Sequence, residues 1–102
     1  MEILTSGDFK KIERISDLFK ILGHPYRFAI FKYLCDCGCE KMRVKEIYNS
    51  LGMHQATTSR HLNELKKHKL LNRTIDEGKV YYQPNIENEL IACLSQCIIG
   101  IK

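Results

Sequence analysis

Two groups of side chains in this sequence have the types and spacing to do chemistry. The first is five cysteines. Cys35, Cys37 and Cys39 form the run Cys-Asp-Cys-Gly-Cys, and Cys93 and Cys97 stand four positions apart near the end of the chain. An i, i+4 pair points two sulfurs the same way from a helix. A Cys-x-Cys-x-Cys loop can gather thiolates around a soft cation, a thiophilic metal ion or arsenite. Cysteines also pack as small hydrophobes, so soft-metal binding, thiol redox chemistry and plain packing all stand open. The odd count argues against a disulfide framework. The second group is Gln55, Thr57, Thr58, Ser59, Arg60 and His61. Gln can pair bidentately with adenine and Arg with guanine, while Ser59, Thr58 and a helix N-terminus can hold phosphates.

These residues need elements to hold them. Phe9, Ile12, Ile15, Leu18, Phe19 and Leu22 recur in steps of three and four, one apolar stripe of a helix over 8–22 that Gly23 stops. Pro25 suits the first turn of a second helix, which ends near Cys35–Gly38. Val44, Ile47, Tyr48 and Leu51 give a short third helix closed by Gly52. A fourth helix over 55–68 buries Thr58, Leu62 and Leu65 and turns Thr57, Arg60, His61 and Glu64 outward. Leu70–Ile75 and Lys79–Gln83 alternate around Asp76-Glu77-Gly78 as a β-hairpin. Asn85 is the expected N-cap of a strongly apolar last helix over about 86–100. The expected fold is mainly α with a small β-hairpin, a winged helix-turn-helix in the order α-α-α-α-β-β-α. It occupies 1–102 as a single domain, with the helix-turn-helix and wing at 44–83.

The chain has 102 residues, 44% of them hydrophobic and 27% charged, which is ordinary globular composition. Its net charge of +4 is unevenly spread. Residues 1–40 carry six basic and six acidic side chains; residues 41–82 carry nine basic and four acidic, a net +5; residues 83–102 carry one and two. A basic excess confined to the middle suits a polyanion. Lys45, Lys66, Arg73 and Lys79 are the candidates for sequence-independent phosphate contacts. The start, Met1 to Asp8, has no basic and apolar leader pattern, and no apolar stretch is long enough to span a bilayer. The expectation is a cytoplasmic protein without a membrane partner. No Gly-rich phosphate loop occurs, and His24, His54, His61 and His68 lack the spacing of a metallohydrolase, so no enzyme is expected. A winged helix used only for protein contact is the competing class. The polar outward face at Gln55, Thr57, Arg60 and His61 disfavours it.

Residues 18–83 resemble the ArsR/SmtB family of repressors. Leu22-Gly23-His24-Pro25-Tyr26-Arg27-Phe28-Ala29-Ile30 resembles the entry to the family's second helix, Gln55 to Leu65 its recognition helix, and Leu70-Leu71-Asn72-Arg73 with Glu77 to Tyr82 its wing. The resemblance implies a homodimer built from the first and last helices (1–22 and 86–102), binding to double-stranded operator DNA, and release by an inducer. The chain departs from the family at His54, where a capping Ser is common, and at His68-Lys69, where a small residue and Gly are common. The family's metal-binding Cys-x-Cys positions on the third helix hold Arg43 and Lys45, and the last helix has no His and only Glu87 and Glu89 as acids. Those two metal sites are therefore absent. Redox-sensing relatives pair a cysteine of the second helix with one of the last, which implies Cys35 with Cys93 or Cys97. A soft-metal site would use Cys35, Cys37 and Cys39.

Overall fold

The computed structural model describes residues 6–101. The reading of residues 1–5, as the start of a dimerisation helix and as lacking a leader, lies outside the described residues, as does Lys102.

Helix α1 (Ser6–Leu22) ends at Gly23, whose N–H donates to the Lys20 carbonyl at 3.2 Å. Helix α2 (Pro25–Asp36) begins as the sequence predicts, with Pro25 in its first turn. His24 is its N-cap, and its Nδ1 accepts from the Tyr26 N–H at 3.2 Å. Helix α3 (Val44–Leu51) stops at Gly52, which takes φ +64°. That left-handed conformation costs glycine nothing and lets the chain turn at once. Helix α4 (Gln55–Lys67) follows.

The wing is larger than a hairpin. Strand β2 (Leu71–Asp76) pairs antiparallel with β3 (Lys79–Pro84), Asp76 opposite Lys79. The two residues between, Glu77 and Gly78, both have positive φ (50° and 78°), the backbone of a tight hairpin turn whose twist matches the strands. A two-residue strand β1 (Met42–Arg43) adds to the other edge of β3, so the sheet order is β1-β3-β2. Two residues are too few for any hydrophobic period to show.

The last helix also starts later than its sequence indicates. Helix α5 spans Glu89–Ile99 and is capped by Asn88, whose Oδ1 accepts from the N–H groups of Leu90 (2.9 Å) and Ile91 (3.3 Å). Asn85, the expected cap, is occupied elsewhere. Its Nδ2 donates to the Lys69 carbonyl and its Oδ1 accepts from Asn72 Nδ2, which ties the end of β3 to the base of β2.

The core lies where α2 meets α3, α4, α5 and the sheet. Ile30, Phe31 and Leu34 of α2, Ile47 of α3, Leu62 and Leu65 of α4 and Ile91 of α5 are fully buried. Each such side chain contributes about 1.5–3 kcal/mol by leaving water. Of α1, Leu22 is buried and Leu18 and Ile21 pack partly against this core. Phe9, Ile12 and Phe19 remain about half exposed. Among the described residues, no helix is long and apolar enough to cross a membrane.

Candidate nucleic-acid interface

Helix α4 is held by the predicted apolar line. Thr58, Leu62 and Leu65 are fully buried. His54 precedes the helix and gives no side-chain cap; instead its carbonyl accepts from both the N–H (3.0 Å) and the Oγ1 (2.9 Å) of Thr58. Thr58 is therefore committed to the inside of the protein and is removed from the candidate phosphate contacts.

His61 also turns inward, contrary to its expected place on the outer face. Only 9% of its surface is exposed. At 100° per residue it lies about 60° from Thr58, on the flank of the buried arc and not opposite it. Its ring packs against His24, 4.5 Å between centroids, and against the edge of Tyr26 at 6.0 Å. Burial, with His24, Arg27 and Arg60 nearby, lowers its pKa; Glu64 opposes this weakly. The polar side chains that remain outside on the first two turns of α4 are Gln55, Ser59 and Arg60, all exposed, and Thr57, half-buried.

An open cleft of about 310 Å³ joins this helix tip to the wing. Arg43, Val44, Lys45 and Tyr48 line it from β1 and α3, Gln55 from α4, and Gly78, Lys79 and Val80 from the hairpin turn. It thus brings together three predicted residues, Gln55, Lys45 and Lys79, from three separate parts of the chain. It also adds Arg43, brought here by β1, a strand too short to show in the residue pattern. Arg43 N–H donates to Glu46 Oε1 at 3.1 Å, the one-sided half of a capping box that fixes the start of α3. No carboxylate lines this cleft. Lys66 and Arg73 do not join it. They line a second groove, about 760 Å³, with Lys69 and Glu87 on another side of the wing. Lys41 is engaged by Asp76 at 2.8 Å, which raises its pKa, and its Nζ sits 4.6 Å over the Tyr81 ring.

The five cysteines do not all converge on one site. Cys35 belongs to the buried face of α2 and has no exposed surface, Cys37 and Cys39 are half-buried beyond its end, and Cys93 and Cys97 are exposed on α5. Burial, then the neighbouring Cys39, pushes the Cys35 thiol up to about 12. A soft-metal site needs thiolates facing one point. Among the described residues no group of three or more His, Cys, Asp or Glu side chains could hold a metal ion. The helix keeps Cys35 in the core while Cys37 has already left it, so the expected Cys35–Cys37–Cys39 set does not face one point here.

Four helices, the tight α3–α4 turn and an antiparallel wing, followed by a fifth helix, define a winged helix-turn-helix. A helix-turn-helix domain family matches residues 22–74. An HTH-type transcriptional regulator of Methanocaldococcus jannaschii, itself uncharacterised, is 41% identical over 58 residues, 57% of this chain. The chain covers 63% of that relative's length. Among solved structures, the transcriptional repressor PagR of Bacillus anthracis superposes with a TM-score of 0.76 at 26% identity, over 88% of this chain and 98% of that one. A homodimeric winged helix-turn-helix domain from Mycobacterium bovis, described as a possible ArsR-family regulator, superposes at 0.74 with 21% identity, over 96% and 86%. The chain belongs to the helix-turn-helix domain family, and its resemblance to ArsR/SmtB winged-helix repressors is borne out.

Proposed function

We propose that this protein is a DNA-binding transcriptional repressor that acts as a homodimer and is released from its operator through its cysteine thiols. The observation that carries the reading is the cleft between α4 and the wing, where exposed Gln55 stands among Arg43, Lys45 and Lys79 with no carboxylate. Helix α4 enters the major groove with its N-terminal half toward the bases. Gln55, Thr57 and Arg60 read base edges, and Ser59 with the cleft's cations holds the flanking phosphates. Lys66 and Arg73, in the second groove, meet phosphates further along the duplex. Two relatives bear the names of a transcriptional repressor and an HTH-type transcriptional regulator, which supports the same reading.

Dimerisation runs through α1 and α5. Phe9, Ile12 and Phe19 of α1 and Ile99 and Ile101 at the end of α5 stay 41–54% exposed, an apolar surface that burial against a second copy would remove from water. The homodimeric structural neighbour supports association as a dimer. Thiol oxidation, which needs only two sulfurs and not three donors facing one point, is the cysteine chemistry in this reading.

The test is fluorescence anisotropy of the full chain, reduced, on the DNA upstream of its own gene. Gln55→Ala with Arg60→Ala weakens binding by more than tenfold while circular dichroism and melting temperature hold. Unchanged affinity in that variant overturns the assignment of α4.

A further inference from the structure

Two cysteines meet at the C-terminal end of α2. Cys35 is fully buried on the helix, and Cys39, four residues on, is half-buried. Cys39 neighbours the Cys35 thiol and, after burial, is the main cause of its raised pKa. An unusual backbone brings them together, with Gly38 at φ +81° and Cys39 at φ +60°. Left-handed φ suits the glycine, but a residue with a β-carbon is disfavoured there. Cys39 is kept in it by three bonds. Gly38 N–H donates to the Cys35 carbonyl (3.0 Å), Cys39 N–H to the Leu34 carbonyl (3.1 Å), and Gln83 Nε2 of β3 to the Cys39 carbonyl (3.4 Å). A cysteine there packs partly against the core and keeps a thiol beside Cys35 in a backbone conformation that costs it strain.

We propose that Cys35 and Cys39 are the reactive dithiol of this protein and close to an intramolecular disulfide when a low-molecular-weight disulfide supplies the oxidising equivalents. This rests on the thiol-controlled repressor reading and names its chemical site. Cys39, the more accessible, loses its proton and attacks one sulfur of the oxidant, expelling a thiolate and forming a mixed disulfide. Cys35 then attacks the Cys39 sulfur and gives up its proton as it does so, to the second thiolate that it expels. Two protein thiols are oxidised, the two protons pass to the expelled thiolates, and one small disulfide leaves as two thiols.

The bond requires the sulfurs to approach to about 2.05 Å, which draws residue 39 toward α2. Cys39 is three residues from β1, whose Met42 and Arg43 pair with Tyr82 and Tyr81 of β3. Its carbonyl is also the acceptor for Gln83. Moving it disturbs both attachments of this segment to the wing, and with them the wall of the cleft that Arg43 supplies.

The experiment treats the reduced full chain with glutathione disulfide. Intact mass shows the loss of two hydrogens, and fragmentation of the peptide Tyr33–Lys41 places the bond between Cys35 and Cys39. Cys37→Ala and the double variant Cys93→Ala/Cys97→Ala still form it. Cys39→Ala does not, and Cys35→Ser stops at a glutathione adduct on Cys39. Because Cys35 is in the core, that variant is checked by circular dichroism, and Cys39→Ala decides the matter if it misfolds. A bond mapped to Cys93 or Cys97, or adducts alone in the native sequence, overturns the proposal. DNA affinity is read in parallel and falls at least tenfold on oxidation. Undiminished affinity with the bond formed overturns thiol control. A reduced protein that never binds DNA overturns the repressor reading while the mass result still decides the dithiol.

Discussion

The imidazoles of His24 and His61 stand 4.5 Å apart, centroid to centroid, tilted by 47°. The first caps α2 and the second is buried on α4, so the contact joins the start of one helix to the inner flank of the helix that faces DNA. His61 is faced by His24, Arg27 and Arg60, which disfavour its charged form, and by Glu64, which favours it weakly; burial acts in the same direction as the cations and is the larger cause. The folded-state pKa is therefore below the unfolded value near 6.5. As pH falls through that value the unfolded chain takes up a proton that the folded chain resists. The stability contributed by neutral His61 is present above about pH 6.5 and is lost as pH falls through the folded pKa. Thermal melts followed by circular dichroism show a falling melting temperature between about pH 7 and 5. His61→Phe keeps a ring beside His24 and Tyr26 and flattens that decline; parallel curves for the two proteins refute the linkage.

Thr58 offers a sharper test of inside against outside. Its Oγ1 donates to the His54 carbonyl at 2.9 Å in the one place where α4 lacks a side-chain cap. Thr58→Val preserves shape and deletes that bond, and lowers unfolding free energy by about 1 kcal/mol in urea titration. After correction for folded fraction, DNA affinity is unchanged. A large affinity loss with native stability would return Thr58 to the DNA face.

The wing turn is not built from the residues that suit it best. Glu77 sits at φ 50° where asparagine is favoured, before Gly78 at φ 78°. Glu77→Asn raises stability by about 0.5 kcal/mol. Gly78→Ala lowers it by about 1 kcal/mol, and only through the backbone, because a β-carbon there meets no atom within 4 Å. Lys69, at φ 64°, is a second such position. It stands where the family often has glycine, and Lys69→Gly stabilises in the same sense. Urea midpoints measured together for the three variants check the signs.

Phosphate contacts are separable by salt. Lys45 and Lys79 line the α4–wing cleft, while Lys41 already pairs with Asp76. Lys45→Ala and Lys79→Ala each reduce the slope of log affinity against log salt by about one. Lys41→Ala changes it less. Equal slopes in all three would remove the cleft from the interface.

Much of the frame is carried by local sequence. Pro25 opens α2, Gly52 closes α3, and the steps of three and four place Thr58, Leu62 and Leu65 inside α4, because helix periodicity and turn chemistry act over a few residues. The exposed tip at Gln55, Ser59 and Arg60 follows from the same local geometry. Other features came only with the folded chain. His61 is buried because α2 delivers His24 and Tyr26 to its flank. Asn85 is drawn from the cap position by Lys69 and Asn72, so α5 waits for Asn88. Strand β1 exists only because β3 has a free edge for Met42 and Arg43. The cysteines sort by depth, Cys35 held in the core and Cys39 turned back onto it. Each of these depends on a partner distant in sequence or on a strained backbone that neighbouring bonds hold in place. Residue spacing along one helix cannot specify such contacts; packing among several elements does.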